Sequence, residues 1–238
     1  MAVFDFTPFF EYAKLNKIEL PPSAEKHLTT YGNMLIEWNE KINLTAITEP
    51  EDIVIKHFTD CLSLLKVINP ISGQRLIDVG TGAGFPGMVI KILRPDIDVT
   101  LLDGHQKRFL FLEALQNEIG IKANNLHCRA ELLAKESAYR ESFDFATARA
   151  VARLPILAEY CLPFVKKNGF FVAMKGPEAE NELTDAKKAI SILGGGEETL
   201  ITEILPKDNT RAFVRVKKIK ATPEKYPRAS AKISKTPL

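Results

Sequence analysis

The sequence predicts an α/β protein: a mostly parallel, Rossmann-like sheet that ends in an antiparallel hairpin and is preceded by helices. Three observations carry this expectation. From Gln74 onward, apolar runs of strand length alternate with helical stretches, as in a parallel sheet covered on both faces. A glycine cluster sits where the first strand hands over to a helix. Near the end, two strand-like runs are joined only by Pro206-Lys-Asp-Asn-Thr210, a link that permits a hairpin but no helical crossover.

The elements follow in order. Residues 1–69 read as a helical region packed on the core, residues 70–220 as the core and residues 221–238 as a basic tail. Leu28, Tyr31, Leu35 and Trp38 recur at steps of three and four, one apolar face of a helix. Ser23, after Pro21-Pro22, offers its N-cap. Ile53, Ile55, Phe58, Leu62 and Leu65 mark a second helix over 50–67. Strands are expected at 75–79, 98–102, 126–128, 143–147 and 169–174, with helices at 88–93, 107–119 and 154–165. The hairpin strands are 199–205 and 211–216. No internal repeat appears, and Gly194-Gly-Gly196 is the one low-complexity segment.

The segment Asp78-Val-Gly80-Thr-Gly82-Ala-Gly84-Phe-Pro-Gly87 fits two patterns. Gly80, Gly82 and Gly84 match G-x-G-x-G of methyltransferases, whereas Gly82, Gly84 and Gly87 match G-x-G-x-x-G of dinucleotide enzymes. Three features favour the first. Asp78 precedes the glycines, where a carboxylate suits the ammonium group of S-adenosylmethionine, directly or through water, but repels a pyrophosphate. Phe85 and Pro86 stand where a dinucleotide helix needs free amides. Five parallel strands closed by a hairpin are the layout of many methyltransferases.

Asp103, at the end of the second strand and nineteen positions after Gly84, suits a ribose diol; it also suits a helix N-cap. Ala130 and Glu131 follow the third strand, where the fold borders an adenine, although Glu131 also reads as a first-turn helix acid. Arg149 follows the fourth strand and faces the ligand crevice, or serves in a surface salt bridge.

The 238 residues are 45% hydrophobic and 26% charged, enough for one large domain with an appendage. No apolar run reaches bilayer length. The stretch 1–10 has no basic residue and contains Asp5 and Pro8, unlike a secretory leader. Cys61, Cys128 and Cys161 lie far apart and form neither a metal pair nor a disulfide framework. A cytoplasmic protein without a metal is expected, and nothing demands more than a monomer. From Arg215 onward, eight cations face one anion, Glu224, on an otherwise mildly acidic chain. Such a run attracts a polyanion or solubilises a tail.

Together these residues resemble the bacterial small-subunit ribosomal RNA guanine-N7 methyltransferase family, also called glucose-inhibited division protein B. The resemblance rests on Asn43-Leu-Thr45, His57-Phe-Thr-Asp60, the loop from Asp78 to Gly87, Leu101-Leu-Asp103 with Lys107-Arg108, Arg129-Ala-Glu131, Arg149-Ala-Val-Ala152, Lys175-Gly176 and Tyr226-Pro-Arg228. It implies cofactor contacts at Gly80, Phe85, Ala130, Glu131 and Arg149, with Asp103 at the ribose. It also implies a target guanine in 16S rRNA, in the decoding region of the small subunit. The chain departs from the family at Gly104 and Cys61, where serines are usual, and in the tail Ala229-Ser-Ala-Lys-Ile233.

Guanine N7 carries a lone pair and no proton, so its methylation calls for positioning rather than a general base. No catalytic residue is therefore assigned, and His57 and the cysteines are read as structural. Side chains reach the deep major groove of an RNA helix poorly, so an unpaired or extruded guanine is expected. Lys175, Arg149, Arg215, Lys217, Lys218 and Arg228 are candidates for phosphate contacts, or are solvated surface charges. The rival readings are a methyltransferase for a metabolite or protein, a non-catalytic RNA-binding scaffold, and a dinucleotide enzyme.

Overall fold

The computed structural model describes residues 2–238. Helices α1 (Thr7–Leu15) and α2 (Ala24–Ile42) come first. Helices α3 (Pro50–Asp52) and α4 (Asp60–Ile68) follow, joined by the π-helical segment Ile53–Thr59. The sheet region then runs β1 (Arg75–Val79), α5 (Gly87–Leu93), β2 (Asp98–Asp103), α6 (Gln106–Ile119), β3 (Asn124–His127), α7 (Ala130–Leu133) and β4 (Phe143–Arg149). It continues with α8 (Leu154–Cys161), β5 (Val165–Lys175), α9 (Ala179–Ile192), β6 (Gly195–Leu205), β7 (Asn209–Lys218) and α10 (Ser230–Lys235).

The seven strands form one sheet in the order β3-β2-β1-β4-β5-β7-β6. The first five pair in parallel, and β7 lies antiparallel between β5 and β6. The register sets Leu76 beside Val99 and Phe145. Leu76, Ile77, Asp78 and Val79 are all buried, as a central parallel strand covered on both faces requires.

Two apolar layers sandwich the sheet. One joins Phe9, Leu28, Tyr31 and Phe58 of the first helices to Leu76, Met88, Leu101 and Phe111. The other packs Leu157, Ala158, Ala189 and Ile190 beneath Ile77, Ala146 and Val214. The first helices thus share a core with the sheet. Burying each large side chain there contributes roughly 1.5–3 kcal/mol.

Several local expectations are corrected. Ser23 makes no side-chain cap bond. The helix expected over 154–165 ends at Cys161; Leu162–Phe164 is a 3-10 turn and Val165 already opens β5. Pro163, which lacks an amide hydrogen, cannot continue an α-helix. Helix α9 was not foreseen, and the tail folds into α10.

Candidate cofactor and acceptor site

The loop after β1 is held from three sides. The amides of Gly80 and Thr81 donate to the Leu102 carbonyl at 2.8 and 3.0 Å. The Gly82 amide donates to Asp103 Oδ2 at 3.0 Å. Asp78 Oδ2 accepts from Thr81 Oγ1 at 2.7 Å and from the Gly87 amide at 2.8 Å. Gly80 has φ +76°, and a Cβ there would lie 2.6 Å from Val151 Cγ2, so only glycine suits this turn.

A cavity of about 630 Å3 opens over this loop, bordered by Gly80, Gly82, Phe85, Asp103, Ala130, Glu131 and Arg149. Two expected residues are not on its wall. Asp78 is fully buried beneath the loop, and its hydrogen bonds make it the brace of the turn. Its Oδ1 has no partner among the described residues, and burial pushes its carboxyl up to about 6, against the pull of its Thr81 and Gly87 bonds. Gly84 turns away toward α2. It has φ +96°, and a Cβ there would lie 2.5 Å from Tyr31 Oη. Tyr31 donates its hydroxyl to the Ala83 carbonyl and stacks on Phe85 at 5.2 Å and 3°.

Asp103 does line the cavity, and it caps no helix. Its carboxylate takes bonds from Gly82 N, from His105 N at 2.9 Å and from Arg108 Nη1 at 2.7 Å. A carboxylate offers about four acceptor positions, so a ribose diol would displace the partly exposed Arg108. Glu131, also on the wall, is buried, with Arg129 Nε at 3.4 Å.

A second cavity, of about 560 Å3, lies on the far side of a wall made by His57, Arg149 and Ala150. Arg149 Nη1 donates to Asp60 Oδ2 at 2.9 Å, and Nη2 reaches His57 Nδ1 at 3.0 Å. The guanidinium sits 5.0 Å over the Phe85 ring, and His57 stacks on the same ring at 4.3 Å. Asp60, wholly buried, also takes Arg211 Nε at 2.5 Å and Nη2 at 2.8 Å. Arginine only donates, so His57 Nδ1 accepts. The ring proton is then on Nε2 and donates to Thr45 Oγ1 at 2.9 Å. Burial, with Arg149 beside it, pushes His57 down to about 3.

Sequence reasoning missed His57, Asp60, Thr45 and Arg211 as site residues. The signal was the clustering of Asn43-Leu-Thr45 and His57-Phe-Thr-Asp60 ahead of the glycine loop. Of the six cations considered for phosphate contact, most are committed within the fold. Lys218 is fully buried between Glu141 at 3.0 Å and the Leu162 carbonyl at 2.7 Å. Arg228 Nη2 pairs with buried Glu159 at 2.7 Å. Lys175 pairs with Glu182 and Lys217 with Glu197, and Arg215 lies over Phe170. No helix among the described residues is long and apolar enough to cross a membrane, and none of their side chains cluster as a metal site.

The strand order, the closing antiparallel β7 and the cavity over the glycine loop define a class I, Rossmann-like methyltransferase fold. Solved structures share it: a SAM-dependent O-methyltransferase from Thermotoga maritima (TM-score 0.52, 14% identity, 79% of this chain and 72% of that one) and precorrin-6y C5,15-methyltransferase from Geobacter metallireducens (TM-score 0.50, 14% identity, 72% and 90%). The chain belongs to the GidB family, rRNA small subunit methyltransferase G, whose family model matches residues 24–213. Among its relatives, ribosomal RNA small subunit methyltransferase G of Clostridium botulinum (strain Loch Maree / Type A3) is 49% identical over 227 residues, covering 94% of this chain and 95% of that protein. The protein of the same description from Desulfitobacterium hafniense is 45% identical over 223 residues, covering 93% and 92%.

Proposed function

We propose that this chain transfers the methyl group of S-adenosylmethionine to N7 of a guanine in 16S rRNA of the small ribosomal subunit. The observation that carries the reading is the shared wall of the two cavities. It presents a guanidinium and a neutral imidazole, and both imidazole nitrogens are already engaged. Such a wall positions an acceptor without removing a proton from it, which suits a lone-pair nitrogen such as N7.

The first cavity fits the cofactor. Asp103 faces the place of the ribose diol, and Ala130 and Glu131 face the adenine. Gly80, Gly82 and Phe85 let the methionine portion approach the backbone. The unpartnered Asp78 Oδ1 favours a water beneath the loop, the indirect route from this carboxylate to the ammonium group. The bound cofactor supplies an electrophilic methyl on sulfonium. The second cavity, with Lys56, Asn209 and Arg211 at its rim, receives the extruded base, and Arg149 fixes the boundary between the two. We read the enzyme as cytoplasmic and monomeric.

The test is methyl transfer from radiolabelled cofactor to small ribosomal subunits that lack the modification, followed by nucleoside analysis. The expected product is 7-methylguanosine. Label in protein or a small metabolite, with none in RNA, would overturn the reading.

A further inference from the structure

The family model ends at residue 213, yet the chain beyond it returns to the cofactor cavity. After β7, the segment 219–229 is tied to the turn between α7 and β4 and to α8. Arg140 donates to the carbonyls of Tyr226 and Thr222 at 2.9 and 2.8 Å, and Glu141 accepts from the Thr222 amide at 2.7 Å. Arg228 then locks onto buried Glu159 through its backbone amide at 2.8 Å and its guanidinium at 2.7 Å. These anchors deliver α10 to one place. Ile233 is wholly buried, and Ser234 stands on the wall of the first cavity beside Tyr160, Arg129 and Ala130.

Ser230 links the helix to that wall. Its hydroxyl takes Arg129 Nη2 at 2.9 Å and lies 2.9 Å from the Tyr160 hydroxyl. Arg129 in turn leans toward Glu131. Gly104 leaves room for this arginine, because a Cβ there would come within 3.2 Å of Arg129 Cδ. Two departures from the family pattern, Gly104 and the tail, therefore meet at one side chain.

We propose that α10 is a strap over the adenosine end of the cofactor cavity, with Ser230 as the positioning residue that sets Arg129 and, through it, Glu131. The proposal rests on the cofactor reading above. The strap closes the side of the cavity where the adenine would otherwise face water. It restrains Arg129, whose side chain is exposed and makes no other side-chain hydrogen bond from outside its own turn among the described residues. Loss of the strap weakens every ligand that carries the adenosine group, whatever is attached to its sulfur.

The test compares the full chain, a chain ending at Ala229, and Ser230→Ala. Titration calorimetry is run with S-adenosylhomocysteine and with 5′-methylthioadenosine, and each protein's thermal midpoint is measured without ligand. The truncated chain is expected to bind both ligands about tenfold more weakly, and by the same factor, since the lost contacts lie on their shared half. Ser230→Ala is expected to lose about threefold on both with its ligand-free midpoint unchanged. Affinities within twofold of the full chain, or a loss confined to S-adenosylhomocysteine, overturn the proposal. If the truncated chain does not fold, Ser230→Ala decides by the same criterion. A full chain that binds neither ligand overturns the cofactor reading itself, and the strap with it.

Discussion

Arg149 Nη2 lies 3.0 Å from His57 Nδ1, a contact that an imidazole carrying a proton on that nitrogen could not make. Protonation would break the wall between the two cavities and set two buried cations against each other. His57 is held down to about 3 in the fold, against an ordinary value near 6.5. Its contribution to stability is present above about 6.5 and is lost as pH falls from there toward 3. Asp78, pushed up to about 6, works in the opposite direction over part of that range. The comparison is therefore between wild type and His57→Gln in urea at a series of pH values. The wild-type advantage should shrink by up to about 1.4 kcal/mol per pH unit below 6.5. A constant gap would show that His57 is not held neutral.

Asp60 is the only carboxylate touching both Arg149 and Arg211 among the described residues. Asp60→Asn leaves two guanidiniums without their counter-ion in a buried place. Unfolding free energy should fall by about 3–5 kcal/mol, measured by denaturant titration. A loss below 1 kcal/mol would mean that solvent reaches the pair.

Arg149→Lys keeps the charge but cannot span Asp60, His57 and the Phe85 face together. Single-turnover methyl transfer should drop by about a hundredfold, while cofactor affinity, measured by calorimetry, changes much less. Equal losses in both would place Arg149 on the cofactor alone.

Gly84→Ala combines a left-handed backbone with a Cβ 2.5 Å from Tyr31 Oη. A cost of about 2–3 kcal/mol is expected, with cofactor affinity reduced because the turn must shift. Tyr31→Phe in the same background should recover part of the stability. No recovery would place the strain in the backbone or against Met88 Cβ and Leu112 Cδ2, which a Cβ at Gly84 would meet at 2.8 and 2.9 Å.

Arg228→Ala strips buried Glu159 of its partner. Stability should fall by about 3 kcal/mol. The slope of RNA affinity against salt should stay the same. A phosphate-contacting arginine would reduce that slope by about one.

The parallel strands were legible because each is a short apolar run between turn residues, and the hairpin because its link is too short for anything else. Helix α9 was not, because its buried face is Ala179, Ala186, Ala189 and Ile190, a stripe too small to read as an apolar periodicity. Helix α10 has one buried residue, Ile233, and leaves no pattern at all. The charges of Lys218 and Arg228 looked solvated because their partners, Glu141 and Glu159, are distant in sequence and adjacent only in the fold. For the same reason the glycine loop showed that a ligand turn exists but not which way each residue points. The packing of Tyr31 sends Gly84 outward from the cavity, and two hydrogen bonds turn Asp78 beneath it.

The pairing of Asp60 with Arg211 spans 151 positions. A ribosome making this chain releases the first helices, the glycine loop and the whole parallel half of the sheet before it adds that arginine. Until then Asp60 has only Arg149 for company, and the wall between the cavities is half built. Synthesis therefore carries its own timing: the wall shared by the two cavities is braced only when β7, the last strand, has been added, and shorter nascent chains lack the second partner of Asp60.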